Sequence, residues 1–275
     1  MSSTYRAGLD RIVAAQTAIS SVDGDRGRLT VRGFSIEDLA PRESFEGFLY
    51  LLWHDVLPDQ AVVDRLSGEI AARRELEPST IALLKAAAAR RVGSMDALRM
   101  ACASLPAEPT ELADGEDRAQ AAWREAVRLV AAFPVIVAAY HRLSRREEPI
   151  APRSDLPHVA NFLYMLHGRE ASAEIVRALE TYWNTVADHG LNASTFTARV
   201  IVSTESDVVS AVTGAVGALK GPLHGGAPGP ALDLVFEVGT ADRAERILRE
   251  KLSRGERLMG FGHRVYRTGD PRADV

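Results

Sequence analysis

Apolar residues recur at three- and four-residue spacing along most of the chain beyond residue 40, which is the pattern of amphipathic helices. Before that point, two short β-prone runs flank the turn-rich residues 23–27, and this arrangement predicts a small hairpin. The pattern therefore indicates an all-α fold with a short N-terminal β-hairpin. The predicted helices cover residues 44–56, 61–75, 80–91, 94–103, 118–143, 156–166, 171–186, 193–203, 207–219, 230–238 and 241–253.

The predicted helix 207–219 is unusually poor in side-chain volume. It reads DVVSAVTGAVGAL and carries both Gly214 and Gly217. Glycine inside a helix costs about 1 kcal/mol relative to alanine, and close approach of another helix is the usual compensation. Two locations fit this helix equally, the core of one subunit or a tightly packed subunit interface.

Composition narrows the classes of partner. Hydrophobic residues make up 46% and charged residues 25% of the chain, and the net charge of −4 with a pI near 6.0 argues against nucleic acid as a partner. Cys102 is the single cysteine, so no intrachain disulfide forms. The first residues lack the layout of a signal peptide, and no apolar run approaches the length of a membrane span. We expect a cytoplasmic protein that binds no membrane.

Two glycine-rich stretches, GPLHGGA at 221–227 and GFGHRVYRTGDPR at 260–272, each hold one histidine. The glycines beside His224 and His263 let other groups approach the backbone closely. His189, in ADHGLNASTF, lies at a predicted helix end and is also followed by glycine. The other four histidines fall within helical patterns and are interpreted as ordinary surface or partly buried residues: His54, His141, His158 and His167.

Three kinds of role fit the three glycine-flanked histidines. A zinc site is disfavoured, because no pair has the i, i+4 spacing and no carboxylate stands at ligand spacing beside them, so we expect no metal. Acid–base chemistry on an anionic carbonyl compound fits the surrounding arginines, which match carboxylates and phosphates. A solvated basic face with incidental glycines fits the same composition. The residues alone leave the last two open. The arginines concerned are Arg254, Arg257, Arg264, Arg267 and Arg272.

The two histidine stretches resemble the paired motifs of citrate synthases, and the second resembles that family's signature. Residues 8–40, PIAPRSDLPHVANFLYMLHG and ADHGLNASTFTARVIVSTESD are similar to other parts of the family, so the resemblance covers essentially the whole chain. It implies a citrate synthase-like fold, assembled as a homodimer. It also implies a large helical domain with the hairpin over residues 1–220, and the start of a small CoA-binding domain over residues 221–275.

The implied reaction condenses acetyl-CoA with oxaloacetate to citrate and free CoA, or uses propionyl-CoA to form 2-methylcitrate. The coenzyme A thioester is then a substrate, and no cofactor is bound permanently. By resemblance, His224 hydrogen-bonds the thioester carbonyl during enolisation, and His263 donates a proton to the ketone of oxaloacetate. The resemblance also implies that His189 and Arg272 contact oxaloacetate, while Arg74 matches a substrate contact of the family only loosely. It implies that Arg267 contacts a CoA phosphate. The other implied CoA contacts are Leu258, Met259, Gly260, Phe261 and Gly262.

The sequence departs from the family in two places. Pro228 stands where the family commonly has asparagine, and proline suits the first turn of a helix. The family's catalytic base is an aspartate downstream of the signature, and Asp233, Asp270 and Asp274 do not match its position. We therefore expect a truncated, nearly inactive member of the family. A non-catalytic dimer that binds CoA or regulates a partner, and an enzyme that cleaves citryl-CoA, are the alternatives.

Overall fold

The computed structural model describes residues 15–105, 117–222, 224–225, 228–262 and 265–275. Within these residues, three short strands are followed by helices, which confirms the all-α fold class with an N-terminal hairpin. The elements are β1 Ser20–Asp23, β2 Arg28–Val31, β3 Phe34–Ser35, α1 Ile36–Leu39, α2 Phe45–His54, α3 Gln60–Ala71, α4 Pro78–Ala89, α5 Ser94–Ser104, α6 Arg118–Ser144, α7 His158–His167, α8 Ala173–Val186, α9 Ala193–Val202, α10 Val208–Leu219, α11 Pro228–Val238 and α12 Ala241–Ser253.

The N-terminal sheet is antiparallel, with the order β1-β2-β3. Ser20 pairs with Val31 and Asp23 with Arg28, so the hairpin turn occupies the predicted residues. Alternation along β2 buries Leu29 and Val31, which pack in one apolar cluster with α1 and α2. The third strand was not predicted, because two residues are too few to show an alternating pattern.

Side-chain caps determine where many helices begin. Ser44, Asp59, Asp117, Asn192 and Asp207 each accept a backbone N–H from the first turn of the helix that follows. Helix α5 has no such side-chain cap. Ser94 is the first helical residue, and Gly93 occupies the cap position without a side-chain hydrogen bond.

Helix α6 is the central helix of the largest apolar cluster. Its residues Leu129, Ile136 and Tyr140 are buried against α4, α5 and α10. Among the described residues, α6 alone is long and apolar enough to cross a membrane, with half of that stretch buried inside the protein. The expectation that no apolar run reaches this length was therefore wrong. The apolar length follows from the contacts that α6 makes on several sides.

The small residues of α10 allow close packing within the chain. A Cβ atom at Gly214 would lie 2.3 Å from Cδ1 of Ile201 on α9, so the glycine lets the two helices approach each other. Helix α9 itself has no buried residue within the described chain. Close packing of α10 is thus explained by α9, while the outer side of α9 remains available to a partner.

The C-terminal helices α11 and α12 pack chiefly against each other. This arrangement is compatible with a domain boundary near residue 220, which stays a prediction. Helix α11 begins at Pro228, two residues before its predicted start. A proline suits this position, because the first helical N–H has no partner inside the helix.

His158 corrects one interpretation from the sequence. It is 2% exposed, not a surface or partly buried residue, because α7 packs against α2, α3, α6 and α8. Its ring stacks on Phe45 with centroids 5.2 Å apart. Burial, reinforced by the nearby charge of Arg74, lowers the pKa of His158 to about 3, so the imidazole is neutral in the folded protein.

Candidate functional site

Residues from both histidine motifs contact residues 189–194, which form the end of the connection between α8 and α9 and the first two residues of α9; we call this segment the turn 189–194. His189 Nε2 lies 2.9 Å from the hydroxyl oxygen of Tyr266, which belongs to the second motif. Ser194 Oγ lies 2.9 Å from Nε2 of His224, which belongs to the first motif. The turn therefore joins segments that are far apart in sequence. His263, the other predicted catalytic histidine, lies outside the described residues.

On the His189 side of this site, half-buried His189 contacts buried Tyr266, and the half-buried ion pair of Asp270 and Arg272 acts on Tyr266 through its charges. Tyr266 is buried, and burial together with the charge of Asp270 raises its pKa to about 12, so the phenol is neutral at physiological pH. Arg272 donates from Nε and Nη2 to the two carboxylate oxygens of Asp270 at 3.0 and 2.6 Å. Burial alone would lower the pKa of Arg272, but the Asp270 carboxylate raises it. The Arg272 guanidinium therefore stays protonated, and its charge is paired with the Asp270 carboxylate.

The His224 side is built on the N-terminus of α9. The Asn192 side chain caps this helix by accepting the N–H of Thr195 at 2.9 Å. The Ser194 hydroxyl lies 2.7 Å from Asn192 Oδ1 and 2.9 Å from His224 Nε2. In this structure the Ser194 hydroxyl donates its one proton to Asn192 Oδ1, and His224 Nε2 is a second acceptor within reach of the same proton.

The position of that proton sets the tautomer of His224. If Ser194 donates to Asn192, the imidazole donates from Nε2 to Ser194 Oγ. If Ser194 donates to His224 instead, the neutral imidazole carries its proton on Nδ1, the nitrogen that Ser194 leaves available. In the second arrangement Nδ1 can donate a hydrogen bond to an oxygen that gains charge.

Glycine is sterically required beside His224. A Cβ atom at residue 225 would lie 2.7 Å from the carbonyl oxygen of Leu219, at the end of α10. In the second motif, Gly260 and Gly262 have φ values of 90° and 83°, which other residues rarely adopt. The glycines therefore shape both turns.

The predicted CoA-contacting turn, residues 258–262, follows α12. Met259, Gly260 and Phe261 form one wall of a cavity of about 410 Å³, whose other wall is formed by α11 and the start of α12. Arg267 lies beside the N-terminal hairpin. Its backbone N–H donates to the carbonyl of Gly24 at 2.9 Å, and its Nε is 3.2 Å from Asp25 Oδ1.

Arg74, the remaining predicted substrate residue, lies elsewhere in the fold. Its side chain is 1% exposed, and Nη1 donates to the carbonyls of Arg153 and Leu156 at 2.6 and 2.9 Å. Burial lowers the pKa of Arg74, although the charge of Glu46 opposes this effect. These contacts tie Arg74 to the loop before α7 and give it no hydrogen bond to His189, His224 or Arg272.

The carboxylates that were set aside as bases occupy other positions. Asp270 is paired with Arg272, while Asp233 and Asp274 are exposed. Within the part of the chain that the structure describes, no three His, Cys, Asp or Glu side chains converge as a metal site would require.

Sequence reasoning missed four members of the site. Three of them contact predicted residues directly: Ser194 contacts His224, Tyr266 contacts His189, and Asp270 contacts Arg272. The fourth, Asn192, contacts Ser194. Tyr266 and Asp270 stand inside the second motif, and Asn192 has the residue type and position of a helix cap. No sequence signal linked Ser194 to His224, because their contact depends on how α10 returns along α9.

Comparison with known proteins points to a single family. The family model for "Citrate synthase, C-terminal domain" matches residues 8–275. Citrate synthase of Haloferax volcanii is 40% identical over 278 residues, covering 100% of this chain and 73% of the relative. The 2-methylcitrate synthase of Mycobacterium tuberculosis is 44% identical over 265 residues, covering 96% of this chain and 66% of the relative.

Solved structures give the same result. Citrate synthase of Pyrobaculum aerophilum superposes with a TM-score of 0.88 at 38% identity, covering 97% of this chain and 68% of that one. Citrate synthase of Thermoplasma acidophilum, solved as a ternary complex with carboxymethyl coenzyme A and oxaloacetate, superposes with a TM-score of 0.85 at 29% identity, covering 97% of this chain and 70% of that one. The matched sequence, the helical fold and the converging motifs together place this chain in the citrate synthase family.

Proposed function

We propose that this protein contributes the histidine-bearing part of a site that condenses an acyl-CoA with oxaloacetate to a citrate-type product and free CoA. Citrate synthases hold no resident cofactor, and the coenzyme A thioester is a substrate. The observation that supports the proposal best is the convergence of both histidine motifs on the turn 189–194. Positioning both substrates at one turn makes their encounter effectively unimolecular.

In the first step, His224 stabilises the enol of the acyl-CoA. The carbon next to the thioester loses a proton to a base, and the carbonyl oxygen gains charge. In this step the Ser194 hydroxyl turns its proton from Asn192 Oδ1 to His224 Nε2, so that Nδ1–H of His224 donates to the thioester oxygen. The enol carbon then attacks the ketone of oxaloacetate, whose oxygen takes a proton from His263 in the role that the resemblance implies. Water finally cleaves the thioester and releases CoA.

Oxaloacetate needs cationic and neutral donors for its two carboxylates. Arg272 uses Nε and one hydrogen of Nη2 on Asp270, and a guanidinium has five N–H donors, so three remain for a ligand. His189 contacts Tyr266, whose pKa is shifted by the charges of Asp270 and Arg272, so His189 and Arg272 lie on the same side of the site. We therefore assign both residues to oxaloacetate and leave Arg74 out of the assignment.

The 275 residues by themselves would react slowly. Among the described residues, no carboxylate contacts His224, and the family's base lies downstream of the second motif by resemblance. Loss of a general base typically removes about 10²–10⁴-fold in rate. Both acetyl-CoA and propionyl-CoA fit the proposal, because one methylene is worth only about 1–3 kcal/mol in a pocket.

A homodimer is part of the proposal. Helix α9 exposes Phe196, Val200 and Val202, which is an unusual apolar surface for a helix that packs closely on α10. A second copy of the chain would cover this surface.

A non-catalytic dimer that binds CoA or regulates a partner is the second candidate. The absence of a carboxylate at His224 within the described residues favours it. Release of CoA from acetyl-CoA or propionyl-CoA with oxaloacetate separates the two candidates. We expect slow release that His224→Ala abolishes. Slow release that is identical in His224→Ala would favour the second candidate, and turnover at about 1–10³ s⁻¹, the usual enzymatic range, would refute the expected low activity.

A further inference from the structure

The turn of the N-terminal hairpin packs directly on the second histidine motif. A Cβ atom at Gly24 would lie 2.2 Å from the carbonyl oxygen of Val265, and one at Gly27 would lie 2.7 Å from the carbonyl oxygen of Gly269. The backbone N–H of Arg267 donates to the carbonyl of Gly24 at 2.9 Å. Backbone therefore meets backbone at this contact, and side chains at residues 24 and 27 would separate the two segments.

This packing brings a carboxylate to the arginine assigned to CoA. Asp25 stands at the tip of the turn, and its Oδ1 lies 3.2 Å from Nε of Arg267. Both side chains are more than 80% exposed, at 81% and 82%. A phosphate arriving from solvent can thus reach the guanidinium, but it meets the negative charge of Asp25 beside it.

We propose that Asp25 is a specificity-determining residue of the acyl-CoA subsite, which holds Arg267 in the ligand-free protein and competes with the CoA phosphate for its guanidinium. This inference rests on the proposed function, because it takes Arg267 as the phosphate contact. The hairpin carries Asp25 to the site, so a segment more than 200 residues away in sequence adjusts CoA affinity. The carboxylate also disfavours anions that cannot displace it.

The competition between Asp25 and the CoA phosphate predicts the direction in which the CoA affinity changes. Removing the charge of Asp25 frees Arg267 and removes repulsion of the phosphate, so CoA binds more tightly. Exposed ion pairs are weak, which limits the gain to about two- to fivefold in Kd. The effect shrinks at high salt, because salt screens exposed charges. The backbone bond between Arg267 and Gly24 does not involve the Asp25 side chain, so the substitution leaves the packing in place.

Calorimetric titration of the 275-residue chain with CoA tests the inference in a double-mutant cycle. The variants are Asp25→Asn, Arg267→Gln and the two combined, with Asp25→Glu retaining the charge. Asp64→Asn is the matched control, since it removes the same charge from α3, where Asp64 accepts a hydrogen bond from Gln60. We expect Asp25→Asn to tighten CoA binding only when Arg267 is present, and Asp25→Glu and Asp64→Asn to stay near wild type.

The other possible results of the titration distinguish failure of this inference from failure of the proposed contact between Arg267 and CoA. Three outcomes would overturn this inference alone. Asp25→Asn could leave the CoA affinity unchanged, it could raise the affinity equally when Arg267 is replaced by Gln, or Asp64→Asn could raise the affinity as much as Asp25→Asn does. Failure of the wild-type chain to bind CoA, or full affinity in Arg267→Gln, would overturn the proposed contact of Arg267 with CoA and the inference with it.

Discussion

At the scale of single residues, the Ser194 hydroxyl controls which nitrogen of His224 carries the proton. It donates to Asn192 in this structure, and only a shift of its proton to His224 Nε2 leaves the neutral imidazole with a proton on Nδ1. The catalytic role proposed for His224 therefore depends on a residue that does not itself touch the thioester.

Ser194→Ala should slow enolisation. The substitution removes the hydrogen bond that selects the tautomer of His224, and one such bond is worth about 1 kcal/mol, or roughly a five- to tenfold loss in rate. Ser194→Thr retains the hydroxyl and is the matched control. Exchange of acetyl-CoA methyl protons with deuterated solvent measures the step. Equal exchange rates in Ser194→Ala and wild type would contradict the tautomer argument.

His158 makes folding stability depend on pH. Its pKa of about 3 in the folded protein lies below the value of about 6.5 in an unfolded chain, so the unfolded state binds the extra proton as pH falls. Stability is therefore fully present above about pH 6.5 and is lost progressively toward pH 3. The loss contributed by His158 is about 2 kcal/mol between pH 7 and pH 5.

His158→Phe should remove this part of the pH dependence while retaining the stacking on Phe45. Urea unfolding at pH 7 and pH 5 measures it, and the difference between the two free energies of unfolding should shrink by about 2 kcal/mol. His141→Gln, at an exposed histidine, serves as the control. An unchanged difference in His158→Phe would show that the residue does not remain neutral in the folded protein.

At the scale of elements, the join between α10 and the first histidine motif needs a glycine. A Cβ atom at residue 225 would overlap with the Leu219 side chain at 2.6 Å and its carbonyl oxygen at 2.7 Å. Gly225→Ala should destabilise the protein by about 1–3 kcal/mol and move His224 away from Ser194.

Gly229→Ala is the comparison for this prediction. Gly229 lies in α11 with nothing within 4 Å of an added Cβ, so alanine should be neutral or stabilise by up to about 1 kcal/mol. Thermal and urea unfolding of both variants measure the difference. Equal stability of the two variants would mean that the turn after α10 relaxes to admit a side chain.

Element boundaries were largely predictable, because they depend on nearby residues. Caps such as Asn192 and Asp207, and breaks such as Gly168, act through local backbone bonds that a sequence pattern contains. The contacts of the site were not predictable in this way. The contact of Ser194 with His224 and that of Asp25 with Arg267 form only after segments separated in sequence have packed. The burial of His158 likewise depends on the surrounding helices and not on the pattern of α7.

At the scale of the whole molecule, the exposed apolar side of α9 predicts self-association. Val200→Glu would place a charge in the proposed dimer interface, and burial of an unpaired charge costs several kcal/mol. Sedimentation equilibrium should then give a dimer dissociation constant at least about tenfold weaker than that of the wild type. Ile175→Glu on α8, a site of similar exposure, is the control. A monomeric wild-type chain would contradict this arrangement.

The central claim is that the two motifs and the turn 189–194 form one substrate site. Calorimetric titration with oxaloacetate tests it most directly, because binding requires no downstream base. His189→Gln and Arg272→Gln should each weaken oxaloacetate at least about tenfold, since each removes a hydrogen bond to a charged group. Arg153→Gln, which removes an exposed arginine paired with Asp155 and Glu170, should bind as the wild type does. Wild-type affinity in both His189→Gln and Arg272→Gln would contradict the claim.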